Sequence, residues 1–246
     1  IWWPGDFASL AMKVVFVGPS FPDIGKLSDV EIRPPACQGE VMRAVRDGAT
    51  AIGLIDGQFE FVPPVWHKEL LFALSQNIGV FGAASMGALR AAECAAFGMI
   101  GVGKIFDDYA SGRRDDDGDV ALLHGPAELA YMPLTIPMVN VDATLARAEN
   151  LGVLAAADCL DISRAARGIF FKERSWTRIA EVAGFDVIVL RNVINQAWVD
   201  QKRLDAVDLL EVIRRPIAAR SAKTWTFNEI SVWRSLFRAE DGKQVR

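Results

Sequence analysis

The sequence is short of the groups that most often signal a function. Its 246 residues include only three cysteines and two histidines. Cys37, Cys94 and Cys159 are far apart and form no CxxC pair, so neither a disulfide framework nor a structural zinc site is expected. Basic residues are not in excess: 27 Lys and Arg stand against 31 Asp and Glu, giving a formal net charge of −4. That balance lacks the electropositive footprint of a nucleic-acid binder, and no such partner is expected. No apolar run approaches bilayer length, and the segment before Met12 lacks the basic start and apolar core of a signal peptide. Secretion and membrane insertion are therefore not expected, and a reducing cytoplasm is the simplest compartment. There is no GxxxxGK[ST], and Gly101-Val-Gly103 has no third glycine to complete a dinucleotide fingerprint. The run Asp115-Asp-Asp-Gly-Asp119 lacks the alternating ligands and terminal Glu of a calcium loop and reads as a solvated loop. No metal or other cofactor is expected.

What is present is enough apolar material, 51% of the chain, to fill one large core or a core with a helical appendage. Residues 1–11 read as an N-terminal arm or a non-native leader ahead of a natural start at Met12. From there to Phe97, short β-branched runs alternate with helix-period segments, the pattern of βαβ units and a parallel sheet. Strands are expected at Val14–Val17, Ala51–Ile55 and Ile78–Phe81, with crossover helices at Gln38–Asp47 and Pro64–Gln76. Asp47-Gly48 closes the first helix and Pro63-Pro64 opens the second. After the Gly-rich stretch Gly98–Gly103 the character changes. From Asp142 onward successive amphipathic helices are expected, bearing Trp176, Trp198, Trp225 and Trp233, with no convincing strand. The fold class is thus α/β: a βαβ core over residues 12–140 and a helical region over residues 141–246.

In such a sheet ligands collect at the carboxyl ends of the strands. The loops there include Asp56-Gly57-Gln58 and Gly82-Ala-Ala-Ser85. Ser85, in Phe81-Gly-Ala-Ala-Ser-Met-Gly-Ala-Leu-Arg90, lies just past a strand and at the mouth of a helix. A serine so placed has an exposed hydroxyl beside helix N-terminal amides that can hold an oxyanion, the first from Met86. Ala83 replaces the first glycine of a GxSxG elbow, and an N-cap serine has the same local signature. Neither His67 nor His124 completes a Ser-His-Asp set, although Asp56 is a plausible orienter. Lys68, in Val65-Trp-His-Lys-Glu-Leu70, sits in the first turn of a helix, where the macrodipole and partial burial both disfavour the ammonium form and favour a base. From the residues alone, a solvated lysine paired with Glu60 or Glu69 is the favoured reading. Arg90 and Glu93, three apart on the helix after Ser85, have at most a supporting role.

Taken in order, Arg33-Pro-Pro-Ala36, Ile55-Asp-Gly-Gln-Phe59, Val65–Leu70, Gly82–Glu93, Phe97-Gly-Met99 and Gly101-Val-Gly103 resemble the motif series of the TfuA-like core family, over roughly Lys13 to Val120. The stretch Ala83–Ala88 separately resembles the nucleophile segment of Clp-type serine peptidases. The TfuA-like resemblance implies a partner of a YcaO enzyme in peptide thioamidation. It implies a Ser-Lys hydrolase that releases sulfide from a thiocarboxylated ThiS-type sulfur carrier, with the precursor peptide reached through the YcaO enzyme. Carried over by motif, Ser85 is the nucleophile and Lys68 its base; the expected oxyanion donors are Met86 N–H, next after the serine, and Gly57 N–H, chosen only for its place at a strand end. Two other classes remain: a non-catalytic adaptor that binds the YcaO enzyme and its peptide through the tryptophan-bearing helices, and a nucleotide-binding α/β domain.

Overall fold

The computed structural model describes residues 12–216 and 224–235; the expected N-terminal arm lies outside them. A five-stranded, all-parallel sheet forms from β1 (Lys13–Phe16), β2 (Glu31–Arg33), β3 (Ala51–Leu54), β4 (Gly79–Ala83) and β5 (Ile100–Val102), in the order β2-β1-β3-β4-β5. The α/β class therefore holds, and the three strands read from the sequence are present with ends shifted by a residue or two. β2 and β5 have no counterpart in that reading. Each is three residues long, and their mixed exposure leaves no apolar run or alternation to detect.

A parallel sheet needs both faces covered, since its βαβ crossovers bury it on either side. Helices α1 (Glu40–Arg46), α2 (His67–Ser75) and α3 (Met86–Cys94) pack on one face. Their Val41, Leu70, Leu74 and Ala91 join Val14, Phe16, Ile52 and Leu54 in one apolar cluster. The connection from β1 to β2 contains no helix, so the crossovers leave the opposite face largely bare. A helix from the far end of the chain fills it. α9 (Gln201–Arg214) lays Ala206, Leu209, Leu210 and Ile213 against Val15, Ile55, Phe81 and Ala83. Gly53 permits this approach, because a Cβ there would lie 2.8 Å from the Leu209 side chain.

Beyond β5 comes α4 (Lys104–Ala110), and α5 (Met138–Asn150), α6 (Ala156–Arg167), α7 (Trp176–Ala183) and α8 (Val187–Ala197) gather around a core of their own. The helical character expected after Asp142 is present. The expected boundary after residue 140 falls inside α5, and the return of α9 builds the end of the helical region into the sheet. Trp225 stands outside any helix, and Trp233 lies in the short helical stretch 231–235. The acidic run is less solvated than expected: Asp119 is buried between Arg114 and Arg167, which also bridge to Asp142 at 2.8 and 2.7 Å.

Candidate functional site

Ser85 is set by backbone geometry before any side chain acts on it. β4 ends at Ala83, and Ala84 adopts a left-handed φ of 65°, a conformation costing a non-glycine residue about 1 kcal/mol or more. The chain then turns so sharply that the Ser85 N–H donates to Ala83 O at 2.7 Å. Ser85 occupies the N-cap position of α3, yet its side chain makes no capping hydrogen bond. The two roles left open by the sequence thus separate: the serine sits at the cap position, with its hydroxyl uncommitted among the described residues. The helix start is pressed against the sheet, since a Cβ on Gly87 would lie 1.8 Å from Leu54 O and one on Gly82 would lie 2.1 Å from Gly87 O. The Gly87 N–H is used on Ile55 O at 3.1 Å, whereas the N–H groups of Met86 and Gly57 have no hydrogen-bond partner among the described residues. Gly57 and Met86 are in contact, because a Cβ on Gly57 would lie 2.2 Å from the Met86 sulfur.

A cavity of about 480 Å³ opens beside Ser85, bordered also by Asp56, Gly57, His124, Tyr131 and Lys202. It stands at the carboxyl ends of β1, β3 and β4. The strand order reverses between β1 and β3, which is where open α/β sheets bind ligands. Asp56 closes that crevice. Its buried carboxylate accepts from Gly18 N–H and Ser20 N–H, both at 2.9 Å, and from the Ser20 hydroxyl at 2.7 Å. Lys202, 2% exposed, enters from α9; its Nζ donates to Val120 O at 2.9 Å and lies 3.9 Å from Asp56 Oδ1. Burial pulls its ammonium below the ordinary lysine range, against the opposing pull of Asp56 and Asp200. His124 holds its Nδ1 2.7 Å from Gly125 O and packs edge-on against Tyr131.

Lys68 is in the first turn of α2 as expected, but it does not border this cavity. Its amine donates to Asn228 O at 2.6 Å and lies 5.0 Å from the centre of the Phe227 ring. Residues 224–235 strap across the outside of α2 there, with Trp233 against Trp66 and Phe72 and with Trp225 donating to Phe97 O. His67, Arg90 and Glu93 form a separate half-exposed cluster: His67 Nε2 is 2.6 Å and Arg90 2.8 Å from Glu93, and Arg90 also donates to Val65 O. Burial raises the Glu93 pKa, and the bonds from His67 and Arg90 outweigh it and hold the carboxyl low. The cysteines are poor nucleophiles here, since burial lifts all three thiols, Cys94 up to about 11. Of the residues singled out in the sequence, the structure brings together Ser85, Met86, Gly57 and Asp56.

Residues 56–175 match the family model of the TfuA-like proteins. That segment is TfuA-like. Comparison with curated proteins gives no match. The TfuA-like segment runs past Val120, where the motif resemblance stopped, to the start of α7. It includes Asp56, Gly57, Ser85, Met86 and the 120–127 wall of the cavity, while Lys202 comes from outside it. Sequence reasoning missed Lys202, although one signal was available. Positions 202, 206, 209 and 213 repeat at helical spacing, and the other three are Ala, Leu and Ile. A lysine on the apolar stripe of an amphipathic helix is a candidate for burial. The TfuA-like family is associated with YcaO-dependent thioamidation, and its members are generally YcaO partners.

Proposed function

We propose that this chain is a serine hydrolase that releases sulfide from a thiocarboxylated ThiS-type carrier protein and delivers it to a YcaO enzyme for thioamidation of a precursor peptide. The observation that carries this reading is the uncommitted hydroxyl of Ser85, held at a strained strand-to-helix turn on the border of the cavity. Ser85 Oγ attacks the thiocarboxylate carbonyl carbon. The oxyanion takes hydrogen bonds from Met86 N–H and Gly57 N–H, which bond to no other group among the described residues. The C–S bond breaks, hydrosulfide leaves, and water then hydrolyses the acyl-serine. The sum is thiocarboxylate plus water giving carboxylate, hydrosulfide and one proton. A carrier with a slender Gly-Gly tail suits the small side chains Gly57, Ala83, Ala84 and Gly87 around the serine.

The test is sulfide release from a purified thiocarboxylated carrier. Ser85→Ala is expected to lower the rate by about 1,000-fold or more; release at the parent rate overturns the reading. An adaptor role is favoured by a different observation. Around the cavity and the adjoining loops, Phe61 (88% exposed), Leu129, Met132 and Leu134 present apolar side chains to solvent. If the adaptor role operates alone, thioamidation supplied with free sulfide still requires the chain and tolerates Ser85→Ala.

A further inference from the structure

A second cavity, of about 350 Å³, adjoins the first, and the two share Pro19, Leu122 and Lys202 as border residues. A chain lying in the Ser85 cavity can therefore extend into it. Its far side is built by the helical half. Trp176 at the start of α7 and Trp198 just past the end of α8 meet edge to face, with ring centres 6.4 Å apart at 85°. Trp176 rests on the helical core, whereas Trp198 stays 40% exposed. The near wall is the segment 133–137 that leads into α5.

The chemistry of that wall limits what can bind. Pro133 and Pro137 have no N–H, the N–H groups of Leu134 and Thr135 are spent on Leu123 O, and that of Ile136 is spent on Arg174 O. Asn140 is committed at both ends, its Nδ2 to Asp200 Oδ1 at 2.9 Å and its Oδ1 to the Lys202 N–H at 3.1 Å. The Lys202 amine is turned to Val120 O. A phosphate or carboxylate would find no converging backbone donors here and would face the Asp200 carboxylate. What remains open is apolar: two orthogonal indoles and the side chains of Leu134, Ile136 and Ile194. Such a lining suits a large uncharged side chain, bound by apolar contact and ring-edge packing.

We propose that this cavity is a specificity pocket for the acyl donor, taking a large apolar side chain from one of the two residues that precede its terminal Gly-Gly. The assignment rests on the reading of Ser85 as nucleophile. It makes the carrier tail slender at the serine and bulky just upstream. Because side chains alternate along an extended tail, only one of those two positions points into the pocket.

The test uses peptidyl fluorophosphonates, in which the fluorophosphonate replaces the terminal carboxyl group, and the matching peptide thiocarboxylates. The tails are acetyl-Ala-Ala-Gly-Gly and the versions with leucine at either alanine. Labelling of Ser85 by the fluorophosphonates involves no sulfide chemistry. In the parent protein one leucine tail is expected to exceed the alanine tail by about 10-fold or more, both in labelling rate and in kcat/KM for sulfide release. Trp198→Ala and Leu134→Asp are expected to bring that preference below about threefold. Both side chains are exposed, Leu134 by 58%, and a ratio of two tails on one preparation does not depend on the folded fraction. A preference below about threefold at both positions of the parent overturns the proposal, and is the result expected if the pocket serves the precursor peptide instead. So does a preference that keeps its parent value in both variants. Sulfide release without a leucine preference overturns the pocket and leaves the Ser85 reading standing. A leucine preference in labelling that Trp198→Ala abolishes, in a protein that releases no sulfide, sustains the pocket and overturns the sulfide reading alone.

Discussion

Ser85 owes its position to residues too small to be noticed for their chemistry. Gly87 is the sharpest case, because the obstacle facing an added Cβ is the Leu54 carbonyl, 1.8 Å away, which belongs to the sheet and cannot rotate aside. Gly87→Ala is expected to cost about 3 kcal/mol or more, an overpacking penalty at the high end because backbone must move. It should also abolish fluorophosphonate labelling of Ser85. Gly168→Ala is the control, since its Cβ would make only ordinary contact, 3.5 Å from Ala165 O. Urea denaturation of the two variants checks both expectations, and equal midpoints would remove the close approach as the reason for Gly87. The strand-turn-serine-helix pattern was legible in the sequence because it is local. The left-handed Ala84 was not, since alanine rarely adopts that conformation and nothing in its neighbours announces it.

At the scale of elements, α9 does two jobs from one stripe. One turn beyond Lys202, Asp205 caps α4, accepting from Ile105 N–H at 2.7 Å, and also accepts from Gln201. Gly103 leaves room for it, since a Cβ there would lie 2.4 Å from the Asp205 carboxyl carbon. Burial pushes the Asp205 carboxyl up to about 6 from 3.8, despite those hydrogen bonds. A carboxyl whose folded pKa is raised stabilises the fold while it is neutral, so this contribution is complete below the unfolded pKa and is lost as pH rises through about 6. The loss is on the order of 3 kcal/mol. Unfolding free energies measured by urea at several pH values should show this decline between about pH 4 and about pH 6, and Asp205→Asn should flatten it. An unchanged slope in the variant would refute the assignment to Asp205. The helix itself was foreseeable from its apolar period. Its destination was not, because periodicity shows which side of a helix is buried and not which surface receives it.

Across the whole molecule, two lysines near the same end of the sheet have been sent to different places. α9 carries Lys202 into the cavity from one face, while residues 224–235 cover Lys68 on the other. The strap is fastened by Trp233, 2% exposed and stacked near Trp66, Phe72 and Phe227. Trp233→Ala is expected to cost about 3 kcal/mol, the low end for a buried tryptophan because the strap can lift while the sheet stays folded. Acetylation of Lys68 by acetic anhydride, read by mass spectrometry, should rise several-fold while fluorophosphonate labelling of Ser85 keeps its parent rate. A fall in Ser85 labelling would show that the two faces are coupled.

The sequence by itself determined the parallel α/β core, the helical second half and the serine at the end of the fourth strand, because hydrophobic period, turn residues and motif order all act within a few neighbouring residues. It put Met86 next to that serine and Gly57 at a strand end, while the contact between Gly57 and Met86 came only with the fold. Only the tertiary structure decided which lysine reaches the cavity. The β1–β2 connection supplies no helix, so the second face of the sheet must be covered by a segment from the far end of the chain, and that segment carries Lys202 in its first turn. No local pattern encodes such a docking; it arises from the need to bury both faces of a parallel sheet.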